Sequence, residues 1–114
     1  MQLPKDAVLL RIFVGEDDKA DGRPLYEALV MKARERGLAG ATVLRGPMGY
    51  GRSSHLHTTK ILRLSQDLPV VIEIVDQEDK VRDFIETVEP MLGSSLVTLE
   101  RVQVLRYGDA GSRD

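Results

Sequence analysis

Hydrophobic and polar positions alternate along this chain with two different periods, and the switches between them mark out six elements. Ala7 to Val14 places Val8, Leu10, Ile12 and Val14 at every second position, the period of a strand. Pro24 to Arg36 has helical spacing, with Leu25 and Leu29 in one row and Tyr26, Val30 and Ala33 in another. Pro24 suits the first turn of that helix and Gly37 its C-terminal stop. Ala41 to about Arg45 predicts a second strand, with an extension to Tyr50 beyond an irregularity at Gly46-Pro47. Leu68 to Val75, Leu-Pro-Val-Val-Ile-Glu-Ile-Val, predicts a third. Asp79 to Val88 returns to helical spacing through Val81, Phe84, Ile85 and Val88. Asp76 can cap this helix, and Pro90 with Gly93 can end it. Thr98 to Tyr107, alternating at Val102 and Val104, predicts a fourth strand.

The connections are less regular. Glu16 to Gly22 reads as an acidic loop, Ser53 to Asp67 as a long connection that is flexible over 53–66, and Gly108 to Asp114 as a frayed tail. The order β-α-β-β-α-β predicts an α+β, ferredoxin-like sandwich: a four-stranded antiparallel sheet with two helices on one face. The whole chain, 1–114, forms one domain with an ordered core at about 7–108. The second face of the strands, with Leu9 and Phe13, is also largely apolar, and two helices cannot cover both faces. Either like subunits pack there or a partner docks, and packing of like subunits is the favoured cover, since closed homo-oligomers are the commonest soluble assemblies.

Charge adds a local feature to this frame. The chain has 16 Lys and Arg against 18 Asp and Glu, yet Arg36 to Gln66 contains no acid and five bases. A basic segment in an otherwise acidic protein points to an anion site, or to a solvated basic loop. The overall balance argues against a general nucleic-acid binder. Cysteine is absent, so disulfides and thiolate metal sites are excluded. No apolar run approaches the roughly 20 residues of a membrane span, and Met1 to Asp6 lacks the apolar segment of a signal peptide. A cytoplasmic location is expected.

The candidate chemistry lies in the basic segment. Gly46 to Ser53 fits the spacing of a phosphate-binding P-loop if Arg52 replaces lysine, but no clear helix follows, so the full motif is not expected. What remains is general: Gly49 and Gly51 let backbone approach a ligand, and Arg52 can fork two phosphate oxygens. His55 and His57 lie two apart, a possible divalent-metal pair on an extended segment, or a surface pair with one histidine against phosphate. Glu16-Asp17-Asp18 reads as a solvated loop rather than a metal site. No Ser/His/Asp set is present in a convincing arrangement, and no catalytic residue is assigned.

Gly-Ala-Thr-Val at 40–43, Gly-Tyr-Gly-Arg at 49–52 followed by His55, and the strand at 68–75 resemble the PII-like signalling proteins. Gly-Arg-Pro-Leu-Tyr-Glu-Ala at 22–28 is similar to their little-characterised bacterial and archaeal branch. The resemblance covers about Ala7 to Gly108 and implies a non-enzymatic homotrimer whose sheets face the threefold axis. It further implies adenine nucleotides, or another small anion, held in clefts between subunits. There Gly49, Gly51, Arg52 and His55 at the base of the long loop would meet Gly93 and Ser94 of a neighbour. Arg106, in Arg106-Tyr107-Gly108, would contact phosphate. The loop would then regulate a protein target, such as a membrane transporter or channel. Two departures matter: no lysine follows Gly93, which turns the expected ligand toward a smaller nucleotide, and the loop lacks the tyrosine that some PII proteins modify. The competing expectations are a divalent-cation-responsive trimer of the CutA type using His55 and His57, and a small enzyme at an intersubunit cleft using Arg52 and His55.

Overall fold

The computed structural model describes residues 6–51, 57–58 and 67–108, the pair 57–58 through its backbone alone. In chain order the elements are β1 (Asp6–Gly15), β2 (Lys19–Ala20), β3 (Arg23–Pro24), α1 (Leu25–Glu35), β4 (Thr42–Arg45), β5 (Met48–Gly49), β6 (His57–Thr58), β7 (Pro69–Asp76), α2 (Glu78–Leu92) and β8 (Leu96–Gln103). Strands β4, β7, β1 and β8 lie in that order in one antiparallel sheet. Both helices cover one face of it, which is the ferredoxin-like α+β arrangement expected from the element order.

The period-2 pattern decides which face is covered. Val8, Leu10, Ile12 and Val14 of β1 and Val70, Ile72 and Ile74 of β7 all point under the helices and are buried. Leu25, Leu29 and Ala33 of α1 and Val81, Phe84, Val88 and Leu92 of α2 close over them. Helix α1 ends as Gly37 predicts: its φ of 78° lets the Gly37 and Leu38 amides donate to the Arg34 and Ala33 carbonyls, both at 3.1 Å. Pro24 stands one position earlier than expected, at the N-cap, where it also closes β3.

Four expectations are corrected. Helix α2 does not stop at Pro90 but continues to Leu92, with Gly93 as its C-cap at φ 57°. Proline inside a helix costs about 3 kcal/mol, but Pro90 and Glu86, whose carbonyl loses its donor, are both exposed to water. Burying Leu92, and Met91 in part, offsets that cost by roughly 1.5–3 kcal/mol for a full apolar side chain. Asp76 is not the cap of α2; it ends β7, wholly buried, and Gln77 occupies the N-cap. The fourth main strand ends at Gln103, paired with Asp6 of β1, rather than at Tyr107. The extension of β4 toward Tyr50 leaves the sheet: Met48–Gly49 pairs instead with His57–Thr58 in a separate ribbon.

The acidic stretch is also more than a solvated loop. Asp21 and Gly22 both have positive φ, 52° and 82°, the requirement of a two-residue hairpin turn, and Lys19–Ala20 pairs with Arg23–Pro24. Glu16 donates its amide to the Leu68 carbonyl at 2.8 Å and pairs its carboxylate with Arg45 at 2.6 Å, while the Asp17 amide donates to Asp67 at 2.7 Å. These bonds fasten the ends of β1, β4 and β7 together.

The uncovered face is banded. Register places Leu44, Val71, Phe13 and Leu96 in one apolar row across all four strands. The next row runs Thr42, Glu73, Arg11, Thr98, and the one beyond it holds Val75, Leu9 and Glu100.

Asp76 is the only charged group in the core among the described residues. Its carboxylate accepts the Gln77 amide at 2.7 Å and the Ala39 amide at 2.9 Å. Asp76→Ala leaves two donors unpaired, and chemical denaturation is expected to show a loss of roughly 2–4 kcal/mol.

Candidate functional site

On the face of the sheet away from the helices, a cleft of about 350 Å³ opens between the residues leading into β4 and those following β8. Leu9 and Val75, directly opposed on β1 and β7, form its apolar floor. Gly40, Ala41 and Thr42 form one wall; Val104, Arg106 and Tyr107 form the other.

Both walls hang on one residue, Ala39. The Ala39 amide donates to the buried Asp76 carboxylate, and the Ala39 carbonyl accepts the Tyr107 hydroxyl at 2.8 Å. Asp76 therefore sets where β4 begins, and Tyr107 folds the chain after β8 back across the sheet to meet it. Lys80 adds a bond from α2 to the Gly37 carbonyl at 2.9 Å, fixing the end of α1 beside the same turn.

Glu73 closes one end of the cleft. Arg11, its neighbour on β1, donates through Nε to Glu73 at 2.9 Å and through a terminal nitrogen to Glu100 at 2.6 Å. The hydrogen bond to Glu73, and secondarily that to Glu100, raises the Arg11 guanidinium above its ordinary pKa, so it stays charged. Arg106 is different: it is exposed and forms no ion pair with any described residue. The cleft thus combines an apolar floor that fits a flat ring, backbone and carboxylate groups that can hydrogen-bond its edge, and an unpaired guanidinium suited to an anion.

Of the described residues expected from sequence to contact a ligand, Arg106 alone lines this cleft, beside Gly40, Ala41 and Thr42 of the Gly-Ala-Thr-Val motif. Gly49 is in β5, where an added Cβ would come within 3.0 Å of the Pro69 ring, so glycine is needed there for close packing. Gly51 is exposed with open space around it. Gly93 and Ser94 form the exposed turn after α2, near the Phe13–Leu96 end of the sheet and away from the cleft. Arg52 and His55 lie outside the described residues, and His57 is described only as backbone in β6. Leu9, Thr42, Glu73 and Val75 were not anticipated as site residues. The available signal was a single charge, Arg11 and Glu73, interrupting the second face of each of two otherwise apolar strands.

The family model DUF190, "Uncharacterized ACR, COG1993", matches residues 7–104. The chain belongs to the DUF190 family. A UPF0166 protein of Aquifex aeolicus (strain VF5) is 44% identical over 97 residues, covering 85% of this chain and 91% of its own. UPF0166 protein MJ1524 of Methanocaldococcus jannaschii is 39% identical over 75 residues, covering 66% and 68%. Among solved structures, this DUF190 chain is similar to CPII, a nitrogen regulatory PII-like protein from Thiomonas intermedia K12 bound to ADP, AMP and bicarbonate. The TM-score is 0.67 at 19% identity, covering 89% and 90% of the two chains. The divalent ion tolerance protein CutA1 from Ehrlichia chaffeensis is also similar, with TM-score 0.56 at 11% identity, covering 92% and 87%. At these identities the likeness is one of fold, and the fold is PII-like. No helix among the described residues is long and apolar enough to cross a membrane.

Two substitutions separate the cleft's scaffold from its open cation. Tyr107→Phe removes the bond to Ala39 and is expected to cost about 1 kcal/mol by denaturation. Arg106→Ala, at a side chain with no ion-pair partner among the described residues, is expected to change stability by less than about 0.5 kcal/mol.

Proposed function

We propose that this protein is a non-enzymatic, PII-like regulatory protein that binds a small adenine nucleotide, AMP or ADP, in the cleft between Gly40–Thr42 and Arg106. The carrying observation is the pairing of an apolar floor, Leu9 and Val75, with an unpaired Arg106 at the wall. The purine lies on the floor, its edge meets the backbone at Gly40–Thr42 and the carboxylate of Glu73, and the phosphate takes the Arg106 guanidinium. The fold shared with CPII, which binds ADP and AMP, supports this choice. The absence of a lysine after Gly93 agrees with a ligand shorter than a triphosphate.

In the assembly we propose, three chains pack the uncovered sheet faces together. The apolar row Leu44–Val71–Phe13–Leu96 supplies the contact, and Leu44 and Leu96 are 48% and 59% exposed in the single chain. Packing brings the Gly51–Arg52 end of the long loop and the Gly93–Ser94 turn of a neighbour toward each cleft. Ligand occupancy then changes how the loop meets a protein target, for which a membrane transporter or channel is our working choice.

Titration calorimetry and thermal shift with AMP, ADP and ATP test the ligand. At 100 times Kd, binding stabilises the native state by about 2.7 kcal/mol. Arg106→Ala is expected to weaken AMP binding about ten- to a hundredfold, the worth of one charge-assisted contact. Lys32→Ala, whose ammonium pairs with Glu35 on the surface of α1, is expected to leave it unchanged. A native protein that binds no adenine nucleotide overturns the proposal.

Light scattering tests the assembly. The native chain is expected to run as a trimer, and Val71→Asp, on the uncovered face, as a folded monomer. Ile12→Asp, on the helix side and wholly buried, is instead expected to cost about 4 kcal/mol or more. A native monomer, or an intact Val71→Asp trimer, would count against sheet-face packing.

A further inference from the structure

Glu73 is the one carboxylate lining the cleft among the described residues, and it is not free to turn. Its Oε2 accepts Nε of Arg11 at 2.9 Å, and Arg11 is itself held from the other side by Glu100 at 2.6 Å. Three strands contribute to this arrangement, Glu73 from β7, Arg11 from β1 and Glu100 from β8. A guanidinium is planar and presents its donors in a fixed fork, so two carboxylates bound to it orient one another. We propose that Arg11 is a positioning residue for base selectivity: by holding one oxygen of Glu73, it presents the other to the edge of the bound ring. The cleft then takes 6-amino purine nucleotides and rejects 6-oxo ones. This rests on the nucleotide-binding proposal above.

The chemistry is a matter of donors and acceptors. An ionised carboxylate only accepts. A 6-amino group donates to it, whereas a 6-oxo group places a second acceptor against it, and the proton that such a ring carries on N1 is reached only if the carboxylate turns, which Arg11 prevents. Sites that hydrogen-bond a substrate group reject analogues lacking it far more strongly than apolar pockets do. Without Arg11, Glu73 rotates toward water and the distinction is lost. Arg11 also cancels carboxylate charge near the phosphate, but that effect weighs equally on any two nucleotides of the same charge. The ratio of two such affinities therefore isolates positioning.

AMP and IMP are the matched probes, equal in charge and differing in the 6-amino or 6-oxo group and in the N1 proton that accompanies the 6-oxo form. Calorimetry on the native protein is expected to favour AMP about ten- to a hundredfold. Arg11→Met is expected to bring the two affinities together while the protein remains folded by circular dichroism. Arg11→Lys, which keeps a cationic donor but not the planar fork, restores part of the preference. Glu73→Gln, whose amide can donate to a 6-oxo group, is expected to abolish or invert it. If Arg11→Met does not fold, Glu100→Ala, which removes the second anchor of Arg11 and does not touch the cleft lining, is expected to reduce the ratio. An unchanged ratio in folded Arg11→Met, or in Glu100→Ala as its substitute, overturns the proposal. Native binding of AMP and IMP with equal affinity overturns the selectivity role alone; binding of neither overturns the nucleotide proposal together with it.

Discussion

A buried carboxylate organises this molecule. Asp76 sits at the end of β7 with no exposure to solvent, and its oxygens accept amides from Gln77 and Ala39. A carboxylate in such a place is tolerated only when donors satisfy it, and both donors here are backbone amides of connecting segments. One residue thereby fixes where α2 begins and where β4 begins. The Lys80 ammonium, 3.8 Å away and bonded to the Gly37 carbonyl, ties the end of α1 into the same junction. The cleft inherits its shape from that junction, since one of its walls is the chain immediately after Ala39.

The uncovered sheet face carries a different logic. Apolar rows lie on either side of a charged row, so the face is neither a plain hydrophobic patch nor an ordinary polar surface. Arg11 meets two carboxylates at once, which keeps the charged row satisfied internally. A partner that covers this face then meets neutralised charge, and a covering strand or sheet out of register would break the row. The same row reaches the cleft through Glu73. The cleft and the uncovered face are thus adjacent parts of one hydrogen-bonded arrangement.

Most of the fold was legible in the sequence because its strands alternate cleanly and its helices repeat at 3.6 residues. Val8 to Val14 and Val70 to Ile74 could only pack as they do. The misread boundaries share a cause: local propensity was outweighed by tertiary burial or pairing, as at Pro90, where Leu92 reaches the core. The Asp21-Gly22 hairpin was readable from its turn residues but was hidden among acids. The site was less legible. Arg106 was identified as an anion contact through resemblance, while Leu9 and Val75 looked like ordinary strand residues. Their role comes from being directly opposed across two strands 66 residues apart in the chain, a relation that periodicity alone does not express.

The long insertion between β4 and β7 leaves and rejoins the sheet at nearly the same point. The Gly46 amide donates to the Pro69 carbonyl at 2.8 Å, and added Cβ atoms at Gly46 and Gly49 would each approach the Pro69 ring to 3.0 Å. The neck is therefore closed by backbone and by the absence of side chains, without drawing on whatever the segment beyond it contains. Closure entropy rises slowly with length, about 0.6 kcal/mol for each doubling. The insertion is thus tethered as a module: a change in its length weighs little on the closure that joins β4 to β7.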